Sequence, residues 1–116
     1  MGKTLDQVVI PEGLSYTREH EWVRLEGEAA VVGITDYAQD KLGDIVYVEL
    51  PKPGAAVQCM KPCGTIESVK AASDLFSPLS GQVLAANSDL DTAPEQINQD
   101  AYGAGWLFRI RPTDLK

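Results

Sequence analysis

Thr35-Asp36-Tyr37-Ala38-Gln39-Asp40-Lys41-Leu42-Gly43 runs directly into Asp44-Ile45-Val46-Tyr47-Val48-Glu49-Leu50, and this stretch decides how the chain is read. The Thr35 hydroxyl can cap a helix, and Asp36 in the first turn suits the positive end of the helix dipole. Ala38 and Leu42 are spaced to share one helical face. Lys41 stands near the C-terminal end, and Gly43 can close the helix at C′. One short helix over 35–42 is therefore expected. The period then becomes that of a strand. Val46, Val48 and Leu50 fall on one face, and Ile45, Tyr47 and Glu49 on the other.

Outward from this stretch the chain reads as short strands. His20 to Leu25 and Glu28 to Ile34 flank Glu26-Gly27 as a hairpin, with β-branched Val31 and Val32 in the second arm. Pro51-Lys52-Pro53-Gly54 ends the strand after the helix. Ala55 to Cys59 and Cys63 to Val69 form two more strands around Met60-Lys61-Pro62. Leu75 to Leu79 is extended, with Pro78 at an edge or bend. Gly81 to Ala86 is a strand, and Gly81-Gln82-Val83-Leu84 faintly echoes Gly43-Asp44-Ile45-Val46. Asp91 to Asp100 is polar, and Pro94 can open a turn of helix. Trp106, Phe108 and Ile110 alternate with Leu107, Arg109 and Arg111 as a last strand. Residues 1–13 read as a lead-in broken by Pro11-Glu12-Gly13, and 14–116 as a single domain. The expectation is a mostly β fold of two packed antiparallel sheets with one short helix near 35–42.

Composition agrees with a folded globule. The chain has 116 residues, 44% hydrophobic and 23% charged. At that size folding removes roughly 65% of the extended chain's surface from water. Disordered and fibrous classes are excluded. No apolar stretch approaches the ~20 residues of a membrane span, and the N-terminus lacks the apolar centre of a secretion signal. A cytoplasmic location is expected. Ten Lys and Arg against 17 Asp and Glu give a net charge of −7, a field that repels nucleic acid and anionic membranes.

No set of side chains composes an active site. His20 lies between Glu19 and Glu21, but no nucleophile accompanies it. The serines sit in no nucleophile-elbow pattern, and no glycine-rich phosphate loop occurs. Asp36, Asp40 and Asp44 recur along a solvated helix face and propose no metal. Cys59 and Cys63, with a single histidine, are too few for a zinc site. Free cysteine is often a small buried hydrophobe; the sharper alternative is a redox pair. One segment stands apart: Glu67-Ser68-Val69-Lys70-Ala71-Ala72-Ser73-Asp74 lies between strand-like runs, with small or apolar neighbours around one lysine. A hairpin there holds the Lys70 amine away from the sheet, although a lysine in a turn is ordinarily just a solubilising charge.

The run from Gly33 to Pro51 and the Glu67–Asp74 segment resemble the H protein of the glycine cleavage system. His20-Glu21-Trp22-Val23, Ser77-Pro78-Leu79-Ser80-Gly81 and Tyr102-Gly103-Ala104-Gly105-Trp106-Leu107 extend the likeness from about Leu14 to Pro112. The resemblance implies a lipoyl/biotinyl-type barrel-sandwich hybrid, with lipoate joined as an amide to Lys70 at a hairpin tip. It implies a carrier, not an enzyme. The arm would shuttle an aminomethyl group between glycine decarboxylase, aminomethyltransferase and dihydrolipoamide dehydrogenase, after attachment by a lipoate ligase or transferase. By motif matching Glu21 and Asp74 fall on positions of a cleft that receives the loaded arm, and Glu67 on one that aids recognition for lipoylation. A biotin carrier would place Met on both sides of its lysine, and a 2-oxoacid dehydrogenase lipoyl domain Asp before it; here Val69 and Ala71 flank Lys70. Departures from the family pattern are Glu19, Lys41, Cys59, Cys63 and Met60, the last at a position often glycine. The cysteines leave open an alternative: an H-like lipoate-binding carrier for heterodisulfide-reductase-like sulfur oxidation enzymes, or for lipoate relay.

Overall fold

The computed structural model describes residues 15–17 and 20–113; the expected lead-in over 1–13, and Glu19, lie outside the described residues. Strands β1 (Ser15–Tyr16), β2 (Glu21–Glu26) and β3 (Ala29–Ile34) precede helix α1 (Asp36–Leu42) and strand β4 (Ile45–Glu49). Next come β5 (Ala56–Val57), β6 (Pro62–Ser68), β7 (Ala72–Phe76) and β8 (Gly81–Ala86). A 3₁₀ turn at Ser88–Asp91, helix α2 (Gln96–Gln99) and strand β9 (Phe108–Pro112) complete the described chain. The strands make two open antiparallel sheets, not a closed barrel. Six strands run in the order β1-β2-β3-β9-β8-β5 and three in the order β4-β6-β7.

The expected helix forms for the expected reasons. The Thr35 hydroxyl accepts the Ala38 N–H at 3.1 Å, and such a cap contributes about 1 kcal/mol. Gly43 closes the helix at φ 86°, with its N–H donating to the Gln39 carbonyl at 2.9 Å. The turn of helix that Pro94 can open is present as the four-residue α2. It follows Pro94, whose carbonyl accepts the Ile97 N–H at 3.1 Å, and Ile97 is fully buried. Burial of one apolar side chain fixes this turn in an otherwise polar stretch.

The core lies between the sheets. Val32, Val83, Phe108 and Ile110 of the large sheet pack in one cluster with Ile45, Val48, Ile66 and Leu75 of the small sheet. Each such side chain contributes roughly 1.5–3 kcal/mol through burial. Trp22 pairs with Gly33 across the β2–β3 ladder, and its indole N–H donates to the Ala101 carbonyl at 3.0 Å. A Cβ at Gly33 would stand 2.5 Å from the Trp22 ring, so only glycine admits the indole there.

Two strand readings are corrected. The third strand of the small sheet is Ala72–Phe76, not Leu75 to Leu79, because pairing with β6 sets its register: Glu67 opposes Ala72 and Thr65 opposes Asp74. In β4 the alternation breaks. The register with β6 shifts between Ile45 and Tyr47, so Ile45 and Val48 are buried while Val46 and Tyr47 both face outward. One extra residue in the strand, a bulge, turns two adjacent side chains to solvent.

Candidate functional site

The β6–β7 hairpin reverses direction through Val69 and Lys70 alone, since Ser68 N–H donates to the Ala71 carbonyl at 2.7 Å. Neither loop residue takes positive φ, unlike the glycine-rich turns that most two-residue hairpins use. The Ser68 side chain supplies the missing restraint. Its hydroxyl accepts the Lys70 N–H at 3.3 Å and the Ala71 N–H at 3.1 Å, and donates to the Ala71 carbonyl at 3.2 Å. Val69 and Lys70 are both exposed. The expected hairpin tip is therefore present, with the Lys70 amine carried out from a fixed backbone.

The tip leans on the junction between α1 and β4. Val69 N–H donates to the Asp44 carbonyl at 3.0 Å, and the Lys70 stem lies over Gly43, whose missing Cβ would be 3.3 Å from Cε. The junction is in turn fastened by Asn98 of α2. Asn98 Oδ1 accepts the Ile45 N–H at 2.8 Å, and Nδ2 donates to the Gly43 carbonyl at 2.9 Å and to Gln39 Oε1 at 2.8 Å. Gln39 Nε2 donates to Asp36 Oδ1 at 2.7 Å, and the Asp36 N–H donates to the Tyr102 hydroxyl at 2.9 Å. A continuous polar network thus runs from the β8–β9 connection to the support of the lysine.

A cleft of about 360 Å³ opens between α1 with the start of β2 on one side and β6–β7 on the other. Glu21, Asp74, His20 and Lys41 are among its lining residues, so two of the expected site residues, far apart in sequence, come together. Glu21 is buried, and its Oε1 accepts the Thr17 hydroxyl at 2.6 Å. His20, held at φ 67°, packs against Tyr37 with ring centroids 4.9 Å apart and planes tilted by 53°, and the Lys41 ammonium sits 5.6 Å from the same ring. Glu67 is not in this group. Alternation along β6 turns Ile66 into the cleft and Glu67 outward, opposite Tyr47.

A family model for the glycine cleavage H-protein matches residues 14–116. The chain belongs to the glycine cleavage H-protein family. Among curated H proteins, that of Rubrobacter xylanophilus is 61% identical over 102 residues, 88% of this chain and 81% of the relative. That of Thermus thermophilus is 50% identical over 106 residues, covering 91% and 83%. The crystal structure of an H protein from Mycobacterium marinum superposes with a TM-score of 0.87 at 42% identity, covering 92% of this chain and 89% of that one. The H-protein match spans the Lys70 turn and both walls of the cleft.

The cysteines depart from the expected H-protein pattern, and both are free thiols. Cys59 is exposed, and its thiol donates to the Pro78 carbonyl at 3.3 Å. Cys63 packs against the core cluster, where burial, reinforced by the negative charge of Glu21, pushes its thiol up to about 12. A thiol so held is protonated at neutral pH and is a poor nucleophile. Sequence reasoning names Gly43 only as the close of the helix and gives Ser68 and Asn98 no role. A serine two places before the lysine is a turn signal that was available; the reach of Asn98 to a junction more than fifty residues away left no local trace.

Proposed function

We propose that this chain is a lipoyl carrier for glycine cleavage, with Lys70 as the attachment point and no catalysis of its own. The observation that carries the reading is the exposed Lys70 amine on a turn whose backbone is locked by Ser68 and by the bond from Val69 to Asp44. The residues present fit the group: a primary amine at an exposed tip can be acylated by a carboxylic acid, and Gly43 leaves room for the stem. When bound, lipoate supplies a dithiolane on a flexible arm that takes up the aminomethyl group from glycine. Tethering keeps that group at high effective concentration near successive active sites. Amide formation removes the lysine charge, which eases entry into apolar channels.

The cleft supports a further element of the reading. Glu21 and Asp74 bring carboxylate chemistry to its wall, which suits the amine end of an arm folded back onto the protein. The partners are then glycine decarboxylase, aminomethyltransferase, dihydrolipoamide dehydrogenase and a lipoate ligase or transferase. The curated relatives carry the glycine-cleavage name, which favours this reading over the sulfur-oxidation alternative.

Coexpression with a lipoate ligase tests this. Intact mass should show one lipoyl adduct in the native chain and none in Lys70→Arg, and the lipoylated protein should support glycine-dependent CO2 exchange with a glycine decarboxylase. An adduct that persists in Lys70→Arg overturns the assignment of Lys70. A correctly lipoylated protein that supports no exchange overturns the glycine pathway.

A further inference from the structure

We propose that Val46, Tyr47 and Val69 form the docking surface for the enzyme that acylates Lys70, an inference that rests on the assignment of Lys70 above. Large hydrophobic side chains are exposed at seven positions among the described residues, and Val46, Tyr47 and Val69 are three of them, at 51%, 51% and 67%. The chain brings these three to one place. Val69 N–H bonds the Asp44 carbonyl, two residues before Val46, and Tyr47 lies directly opposite Glu67 on β6. The bulge in β4 is what makes the patch. Without it one of the two adjacent side chains would point into the core, as strict alternation demands.

β4 is also an edge strand: Asn98 takes its Ile45 N–H, and among the described residues β6 is its one strand partner. An edge that exposes adjoining apolar side chains invites unwanted pairing unless a partner covers it. Scattered single hydrophobics need no explanation, but a cluster bordering a reactive group does.

The reach of lysine selects the partner. An unmodified lysine carries its amine only as far as its four-carbon stem. The enzyme that acylates it must therefore bring its own surface against the tip, and so over Val69 and the bulge. Enzymes that act later meet a much longer arm and need not touch the turn. In the acylation itself, the bond between the acyl carbon and an adenylate phosphate oxygen breaks, and an amide C–N bond forms at Lys70 Nζ. The ammonium gives up one proton before attack and a second afterwards, and the adenylate leaves with the electron pair. The exposed carboxylates of Asp44, Glu49 and Glu67 border the patch, so the complementary face is apolar at its centre and basic at its rim.

The test uses the full chain with purified lipoate-protein ligase, lipoate and ATP. The double variant Val46→Thr/Tyr47→Thr keeps strand propensity while removing most of the apolar surface. Its KM for lipoylation should rise roughly tenfold with kcat little changed, the pattern of lost binding alone. Leu25→Thr, also exposed but on the large sheet, should leave both constants unchanged. Acylation of Lys70 by a small activated ester should proceed at the native rate in every variant, because that reagent needs no docking surface. An unchanged KM in the double variant overturns the proposal. So does a defect that appears only in glycine-dependent exchange by the fully lipoylated protein, which assigns the patch to a later partner. Loss of a concentration-dependent dimer, with normal lipoylation, also overturns it and assigns the patch to a second copy. If the double variant is slowed toward the small ester as well, the single variants Val46→Thr and Tyr47→Thr decide, by the same KM criterion. Failure of the native chain to accept lipoate at Lys70 is a different result: it refutes the carrier reading itself.

Discussion

Replacing Asn98 with alanine should loosen the junction that carries the lysine. The substitution deletes an acceptor for Ile45 N–H and donors to Gly43 O and Gln39 Oε1. A polar group left without its partner costs about 1–3 kcal/mol, and these groups are only partly enclosed, so about 1 kcal/mol per bond is appropriate. The total is about 3 kcal/mol. For 116 residues at ~2.1 cal/mol/K per residue, the unfolding entropy near the midpoint is about 0.24 kcal/mol/K, which gives a fall in Tm of about 12 °C. Thermal unfolding followed by circular dichroism reads this directly. Amide exchange adds a local measurement: the Ile45 N–H should lose protection before the β2–β3 ladder does. Asn98→Asp keeps the acceptor for Ile45 but turns a carboxylate oxygen toward the Gly43 carbonyl, so it should be no more stable than the alanine variant. A Tm loss below about 4 °C for Asn98→Ala, roughly 1 kcal/mol on the same scale, would refute the view that Asn98 fastens the junction.

Other perturbations have equally definite signs. Gly33→Ala drives a methyl to within 2.5 Å of the Trp22 ring and should destabilise by about 1–3 kcal/mol with a change in tryptophan emission; native-like stability would show that the indole is not confined there. Met60 sits at φ 60°, a conformation that costs a side chain about 1–2 kcal/mol, so Met60→Gly should stabilise by about 0.5 kcal/mol after the added freedom of the unfolded chain is subtracted. A lower denaturation midpoint in Met60→Gly would contradict this. The raised Cys63 thiol stays protonated in the fold while the unfolded thiol ionises from about 9, so its contribution is complete below that pH and declines as pH climbs toward about 12. Cys63→Ala should flatten that alkaline decline in denaturant titrations, and an identical slope would remove Cys63 as its source.

What was legible in the sequence was what local chemistry decides. Helix α1 could be bounded from Thr35 and Gly43 because capping acts within a few residues. The strand Gly81–Ala86 and the buried faces of Phe108 and Ile110 followed from alternation. The bulge in β4 could not be read, because its cause is the register against β6 rather than anything within the strand. The start of β7 was missed for the same reason: residues after the tip are strand only because β6 offers them a ladder. At the site, residue pattern isolated the Glu67–Asp74 segment, but a lone lysine in a turn has an ordinary explanation, and family resemblance was needed to single out Lys70. The meeting of Glu21 with Asp74 depends on how the two sheets face each other, which no short window records.

The locked turn at Ser68 has a mechanical consequence for any molecule attached to Lys70. The Ser68 hydrogen bonds restrain the main chain beneath the side chain, so most of the attached group's freedom lies in the side chain and the group samples a shell about the turn. Entry into an active site then freezes rotatable bonds of the tether without also having to order a loop. The depth at which a receiving enzyme can place its reaction centre is accordingly limited by tether length, measured from that pivot.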